Sequence, residues 1–506
     1  MEISSTESYL TLVLGALDNT VIPELSSQDA KATAEIMKAV LHDLIKREKF
    51  TPRLLDEHLA EGRILAKSMA AMLDEVGGKS ATAPEEPADQ SAATGFIRLA
   101  EAHRNLTAVL ADLANALVDI RPKVADAARQ QFISALLHKA AAWEYAYYSG
   151  QRDADGTPPP LVDRRKGKPL NRESLQAFLH AEHPDGTQCR VEGLESIPGG
   201  FGKQTYRASV LTASGKKEAL IVRKSDPTPM VVYGGFVIER EFHLLKDVFA
   251  CGRLPVAEPL YLGVDVDGVD ADFYVMSTLP GKVAGSFLGA ASAVIPESVM
   301  LHMAELMARL HTLGLDTYAG YFSKYPQSRE HLTTVEACYR HSIAEWRDYF
   351  VRGDHLPSPF VTYMLDWLEQ HIPANKNPPV LVHGDFNIHN VLAEDGRVAG
   401  VLDWECAMFG APEQDLAYIK PIISKHIAWD RFLGHYRDSG GPAIDESAMN
   451  FYMAFSAMRL NIIFNKGTRN MQQGITRDIR YAIVELGLQT EFMNLALAST
   501  AGGLAS

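Results

Sequence analysis

Asp385, Asn390 and Asp403 have the types, order and spacing of a phosphoryl-transfer site: HGDFNIHN spans 383–390, and VLDWE places Asp403 a short hairpin further on. In-line transfer of a γ-phosphoryl group needs one carboxylate to orient the attacking hydroxyl and accept its proton, a task for Asp385. It also needs hard oxygen ligands for Mg²⁺, which takes few groups from the protein and completes its shell with phosphate oxygens. The Asn390 amide and the Asp403 carboxylate suit that ion. A polar turn between the apolar stretches 379–382 and 391–392 would also use Asp and Asn. Three such residues in order, each in a strand–loop context, favour chemistry over a bare turn.

HGDFNIHN followed by VLDWECAMFGAPEQDLAYI resembles the aminoglycoside phosphotransferase family, the small-molecule branch of the kinase-like fold, in which the loop begins His-Gly-Asp. The resemblance covers about residues 170–488. It implies an α+β, two-lobed protein-kinase-like fold, with a small antiparallel β N-lobe and a mainly α C-lobe. It further implies structural support from two residues: Asp415, a buried tie of the C-terminal lobe, and His383, a brace of the loop through backbone hydrogen bonds. His389 and Glu405 stand beside the expected metal site with no implied duty, and both are readable as solvated. The acceptor stays open between antibiotics, the family's eponymous substrates, and hydroxyacyl-CoA thioesters. The DWE triplet resembles the branch associated with acyl-CoA dehydrogenases, which phosphorylates such thioesters.

These residues need a nucleotide-binding lobe upstream. Gly199, Gly200, Phe201, Gly202 and Lys203 lie between two apolar, alternating runs, the pattern of a hairpin with a glycine-rich tip whose N–H groups can approach phosphates. Family members often carry Ser or Asn at this tip, so the turn departs from the usual pattern. Strand 218–224 then ends in two cations, Arg223 and Lys224. Alternation allows only one of them into the cleft, and the resemblance favours Arg223. Helix 236–245 carries Glu241 on the stripe of Val237, Leu244 and Leu245, making it the expected ion-pair partner of that cation; an inward Glu239 would shift the assignment. Strand 272–276 runs into a hinge where backbone groups around Ser277 to Leu279 would hold the adenine of ATP or GTP, with Met276 as a wall. The apolar stripes Met300, Met303, Met307, Leu310 and Met449, Met453 read as core.

Four segments follow: an all-α N-terminal domain at 1–150, a Pro-rich linker at 151–170, the N-lobe at 171–282 and the C-lobe at 283–506. A loop rich in Gly, Pro and acidic residues is expected at 77–92. No catalytic constellation stands before residue 171; His103, Arg104 and Trp143 read as packing or surface residues, and docking, homodimerisation or shaping of the substrate entrance are all open roles for the helices. At 506 residues, with 46% hydrophobic and 22% charged residues, the chain can build more than one ordinary globular core. A net charge of −14 argues against nucleic acid and anionic membrane surfaces as partners. Cys189, Cys251, Cys338 and Cys406 have no metal or disulfide spacing, and the amino terminus lacks a basic-then-apolar leader, so a cytoplasmic setting is expected. Arg340, Arg347, Arg459, Lys466 and Arg469 are candidate contacts for CoA phosphates. The expected function is thus a Mg²⁺-dependent transfer from ATP or GTP to a small-molecule hydroxyl. The alternatives are a protein kinase, for which the stretch between Asp403 and Pro412 is short, and a non-catalytic nucleotide-binding scaffold.

Overall fold

The computed structural model describes residues 6–48, 51–77, 95–151, 168–197, 202–227, 229–231, 236–285, 295–473, 475 and 480–500. Nearly all of the expected linker and of the acidic loop lies outside these residues, as do Gly199, Gly200 and Phe201 of the glycine-rich tip. The chain forms two compact units.

One unit is helical and draws on Met1–Asp163, Ile343–His371 and Ala457–Ser506. Its centre is the helix Thr51–Glu75 packed against Gly95–Ile120 and Ala127–Gln151. Leu106, Leu110, Leu113 and Leu117 recur at helical spacing and are buried, as are Leu59, Met69, Leu73, Ile133 and Leu137 opposite them. Gly62 interrupts this pattern because a Cβ there would lie 2.7 Å from the Trp143 ring. Trp143 and His103 are buried in a stack with His58 and Tyr147, whereas Arg104 is exposed.

The sequence reading placed 343–371 and 457–506 with the C-lobe, whereas these segments pack with the amino-terminal helices. Buried polar bonds account for the difference. The Arg121 guanidinium makes a two-pronged pair with Asp366, at 2.7 and 2.6 Å. Glu144 accepts from the Ser358 hydroxyl (2.8 Å) and the Phe360 N–H (2.8 Å), adding a second acceptor beside the Ser358 cap at the start of helix Pro359–Gln370.

The other unit, Arg164–Ser342 with Ile372–Ser456, is the two-lobed kinase-like part. Its N-lobe is a five-stranded antiparallel sheet of β1 (Arg190–Ile197), β2 (Lys203–Leu211), β3 (Lys217–Ser225), β4 (Pro259–Gly263) and β5 (Phe273–Ser277), in the order β1-β2-β3-β5-β4. An Asn171–Ser174 capping box starts the helix Arg172–Glu182, which covers one sheet face with Leu175, Phe178 and Leu179 against Val191, Ala208, Leu220, Val222 and Phe273. The helix Ile238–Ala250 packs against β4 and β5. The α-rich lobe holds the helices Glu297–His311, Glu413–Ile423 and Trp429–Asp438. Met300, Met303, Met307 and Leu310 are fully buried, so that stripe is core. Two small ladders carry the catalytic segment: β6 (Lys282–Val283) with β8 (Val391–Glu394) and β9 (Arg397–Val401), and β7 (Val380–Val382) with β10 (Met408–Gly410). Among the described residues no helix is long and apolar enough to cross a membrane.

Candidate active site

Loop 383–390 runs from β7 to β8, and its backbone is held by one side chain. Asp415, in the first turn of helix Glu413–Ile423, accepts from the N–H groups of His383 and Gly384, each at 2.8 Å. His311 Nε2 lies 3.2 Å from the same carboxylate, and its Nδ1 meets the Tyr436 hydroxyl at 3.0 Å. Burial works to raise the Asp415 carboxyl, but His311 and then His383 outweigh it and hold the group below its ordinary value. Gly384 has φ +76°, and a Cβ there would run into the Cys406 carbonyl oxygen, so only glycine fits this turn. His383 bridges loop and hairpin: its Nε2 donates to the Leu402 carbonyl (2.9 Å), and its Nδ1 accepts from the Asp385 N–H (3.3 Å).

That frame sets three polar side chains. Asn390 Nδ2 donates to Asp385 Oδ2 (2.8 Å) and to the Asp385 carbonyl (3.0 Å), which leaves the amide oxygen for another partner. Asp385 Oδ1 is buried and has no hydrogen-bond partner among the described residues. His389 Nε2 lies 3.7 Å from Asp385 Oδ2. The Leu402 N–H donates to the Asn390 carbonyl (2.8 Å), tying the loop to β9 just before Asp403. Asp403 adopts a left-handed backbone, φ +64° and ψ +66°, a conformation that is costly for a residue bearing a Cβ and that turns its carboxylate back toward Arg223. Burial acts to raise the Asp403 carboxyl; Arg223, His383 and Lys203 override it and keep it low, hence ionised.

The N-lobe supplies the cations. On β3, Leu220, Val222 and Lys224 share the face covered by helix Arg172–Glu182, and Lys224 is fully buried there against Asp270 at 2.6 Å. Arg223 therefore points the other way. Its Nε lies 3.0 Å from Glu241 Oε1, and its terminal nitrogen pairs with Asp403. The Tyr274 hydroxyl donates to Glu241, which is buried, at 3.1 Å, whereas Glu239 is only half-buried. Glu241 is thus the inward carboxylate. Lys203, at the start of β2, is buried and donates to the Phe236 carbonyl (2.6 Å).

At the hinge, Met276, Ser277 and Leu279 are half-buried. The Ser277 N–H already donates to the Glu258 carbonyl (2.9 Å), and its hydroxyl accepts from the Glu258 N–H (2.9 Å), so Ser277 braces the hinge. The Leu279 side chain fills the space over Gly400, where a Cβ would meet it at 2.7 Å.

Residues 193–452, just over half of the chain, match the phosphotransferase enzyme family. The chain belongs to that family. It is 29% identical over 244 residues to mouse "acyl-CoA dehydrogenase family member 11", a match covering 46% of this chain and 29% of that protein, so the chain spans under a third of this relative. It is also 29% identical over 177 residues to the "hygromycin-B 4-O-kinase" of Escherichia coli, covering 34% of this chain and 49% of that enzyme. Among solved structures, an aminoglycoside phosphotransferase in ternary complex with AMP-PNP and hygromycin B matches with TM-score 0.43 and 18% identity, covering 65% of this chain and 99% of that one.

Sequence reasoning missed one residue of this site. Glu405, readable from sequence as a solvated side chain, sits inside the site, 3.3 Å from Lys203 Nζ and 3.5 Å from the Arg223 guanidinium. Burial, then the neighbouring Asp403, push its carboxyl up to about 7. The available signal was its place two residues after Asp403, on the short turn Trp404–Cys406. The cations nominated for CoA phosphates do not gather into a patch. Arg347 pairs with Glu369, Lys466 and Arg469 both bind Asp354, Arg459 is buried over the Trp346 ring, and Arg340 is exposed.

Proposed function

We propose that this phosphotransferase moves the γ-phosphoryl group of ATP or GTP to a hydroxyl of a small molecule, with Asp385 as the base. The observation that carries the reading is the buried Asp385 Oδ1, fixed by the Asn390 amide on its sister oxygen and facing no donor among the described residues. Such an atom is the acceptor an alcohol proton needs. As the acceptor oxygen bonds to the γ-phosphorus and the bond to the β,γ-bridging oxygen breaks, the alcohol proton passes to Oδ1 and the nucleoside diphosphate leaves.

Asn390 and Asp403 are the residues that would hold Mg²⁺: one amide oxygen and one ionised carboxylate are a donor set of the kind this ion takes beside phosphates. The chemistry such an ion would supply is neutralisation of negative charge on the phosphates, and Asn390 and Asp403 would be the residues that place it. Arg223, kept in place by Glu241, presents a permanently charged fork to the phosphates, and Lys203 stands beside it at the base of the glycine-rich turn. Gly199, Gly200 and Phe201, expected at the tip of the glycine-rich lid, lie outside the described residues. Lys224, committed to Asp270 on the opposite face, belongs to the lobe's core.

For the acceptor we favour a hydroxyacyl-CoA thioester over a sugar-like alcohol, because the relatives include proteins named as acyl-CoA dehydrogenase family members. The hygromycin-B kinase likeness supports the second reading. The test is nucleoside-diphosphate release with Mg-ATP and Mg-GTP against hydroxyacyl-CoA thioesters, aminoglycosides, sugars and hydroxy acids, with Asp385→Asn as the blank. Acceptor-dependent release lost in that variant supports the assignment and names the acceptor class. Nucleotide binding without turnover on any acceptor points to a scaffold instead.

A further inference from the structure

Glu405 makes one contact pattern that the proposed chemistry leaves unexplained. Its Oε2 lies 3.3 Å from Lys203 Nζ and 3.5 Å from the Arg223 guanidinium. A Cβ placed on Gly202 would come within 3.4 Å of both of its carboxylate oxygens, so the carboxylate lies against the Gly202 backbone at the start of β2. An enclosed anion held by two cations has the surroundings of a bound phosphate group. Among the described residues Oε2 is nonetheless buried without a hydrogen bond, and both cations have other anchors, Phe236 for Lys203 and Glu241 with Asp403 for Arg223. The cradle does not need Glu405 to stay assembled.

We infer that Glu405 is an internal anionic placeholder: its carboxylate occupies a seat of the nucleotide phosphates, is displaced when they bind, and thereby sets nucleotide affinity. The inference rests on the phosphotransferase reading above and adds to it a residue that weakens binding. A phosphate entering between Lys203 and Arg223 meets a like charge at contact distance, and Coulomb repulsion there is only partly screened because the group is mostly enclosed. Displacing the side chain relieves that repulsion but gives up its two ion pairs. Glutamine has the same shape and no charge, so it removes both the repulsion and the competition.

The experiment is calorimetric titration of the full-length chain and its Glu405→Gln variant with ATP, with ADP and with adenosine, each with Mg²⁺ and with EDTA. The variant is expected to bind ATP and ADP roughly tenfold more tightly, an effect of about 1.4 kcal/mol, and adenosine equally. In a Lys203→Met background the same substitution is expected to gain less, because half of the cradle is gone. Equal or weaker ATP binding by the variant overturns the inference, as does a weakening confined to Mg²⁺, which would make Glu405 a metal ligand. A parallel change in adenosine affinity also overturns it, since that reports a general change of the lobe. If neither protein binds any nucleotide, the functional reading falls and this inference with it.

Discussion

The Asn390 amide donates to one oxygen of Asp385 at 2.8 Å and leaves the other buried with no partner among the described residues. This division of labour predicts a specific phenotype for Asp385→Asn. The variant retains the shape of the loop but has no basic atom for the acceptor proton, so kcat is expected to fall by roughly 10²–10⁴, the usual worth of general-base catalysis. Nucleotide affinity is expected to hold, because the cations come from β2 and β3. Steady-state turnover and calorimetry on the same preparation check both halves; unchanged kcat would remove Asp385 from the role of base.

The two adjacent cations of β3 are expected to fail in different ways. Arg223→Lys keeps the charge but loses the rigid fork that reaches Glu241 and Asp403 together. Its nucleotide KM should rise about tenfold, equal to about 1.4 kcal/mol, with little loss of thermal stability. Lys224→Met leaves Asp270, only 2% exposed, as an uncompensated buried carboxylate. That costs about 3–5 kcal/mol of stability and leaves the nucleotide KM of the folded fraction unchanged. Melting curves beside kinetics separate the two, and a KM defect in Lys224→Met would reverse the assignment.

Gly384→Ala tests the frame under the loop. The added methyl would collide with the Cys406 carbonyl oxygen, and the backbone would hold alanine at φ +76°. The left-handed conformation alone costs about 1–2 kcal/mol, and relieving the clash moves the His383 and Gly384 N–H groups off Asp415. Both Tm and kcat are expected to drop. Full activity with only a lower Tm would show that the Asp415 bracket is not needed to position Asp385.

These relationships were unequally legible in the sequence. Asp385, Asn390 and Asp403 are close along the chain, so their order and the intervening hairpin were enough to suggest that they meet. Arg223 against Lys224 was half legible: alternation says that they face opposite ways, but the inward parity depends on helix Arg172–Glu182 covering the even face and on Asp270, a partner 46 positions away. Glu405 looked solvated because its partners, Lys203 and Arg223, lie far upstream. The helical unit shows the same limit. Nothing in the local sequence of 359–370 says what that helix packs on, and its anchor, Arg121 with Asp366, spans 245 residues. A pattern read over a few turns carries information about faces, whereas partners at such separations are set by tertiary packing.

That anchoring helix also carries a pH dependence. Glu144 is 2% exposed, and burial pushes its carboxyl up to about 7, with the Phe360 N–H and the Ser358 hydroxyl pulling the other way and only partly offsetting it. A carboxyl whose folded-state value is raised above the ordinary 4.5 contributes stability that is fully present below that value and is lost as pH rises through about 7. Each pH step of one between those two values is worth about 1.36 kcal/mol, so the loss amounts to about 3 kcal/mol. Histidines held by burial below the ordinary 6.5, His58 and His355 at about 4 among them, lose stability as pH falls through this same window and oppose the trend in the whole protein. The clean measurement is therefore a difference: urea unfolding of the wild-type chain and of Glu144→Gln at several pH values between about 4 and about 8, a range that brackets both ends of the titration. Glutamine can still accept from the Ser358 hydroxyl through its amide oxygen but never ionises. The variant is expected to gain stability relative to wild type steadily from pH 4.5 to about 7 and to run parallel to it above that. Parallel curves over the whole range would mean that the Glu144 carboxyl titrates alike in the folded and unfolded chain and is an anion at neutral pH, stabilised by the start of the helix it caps.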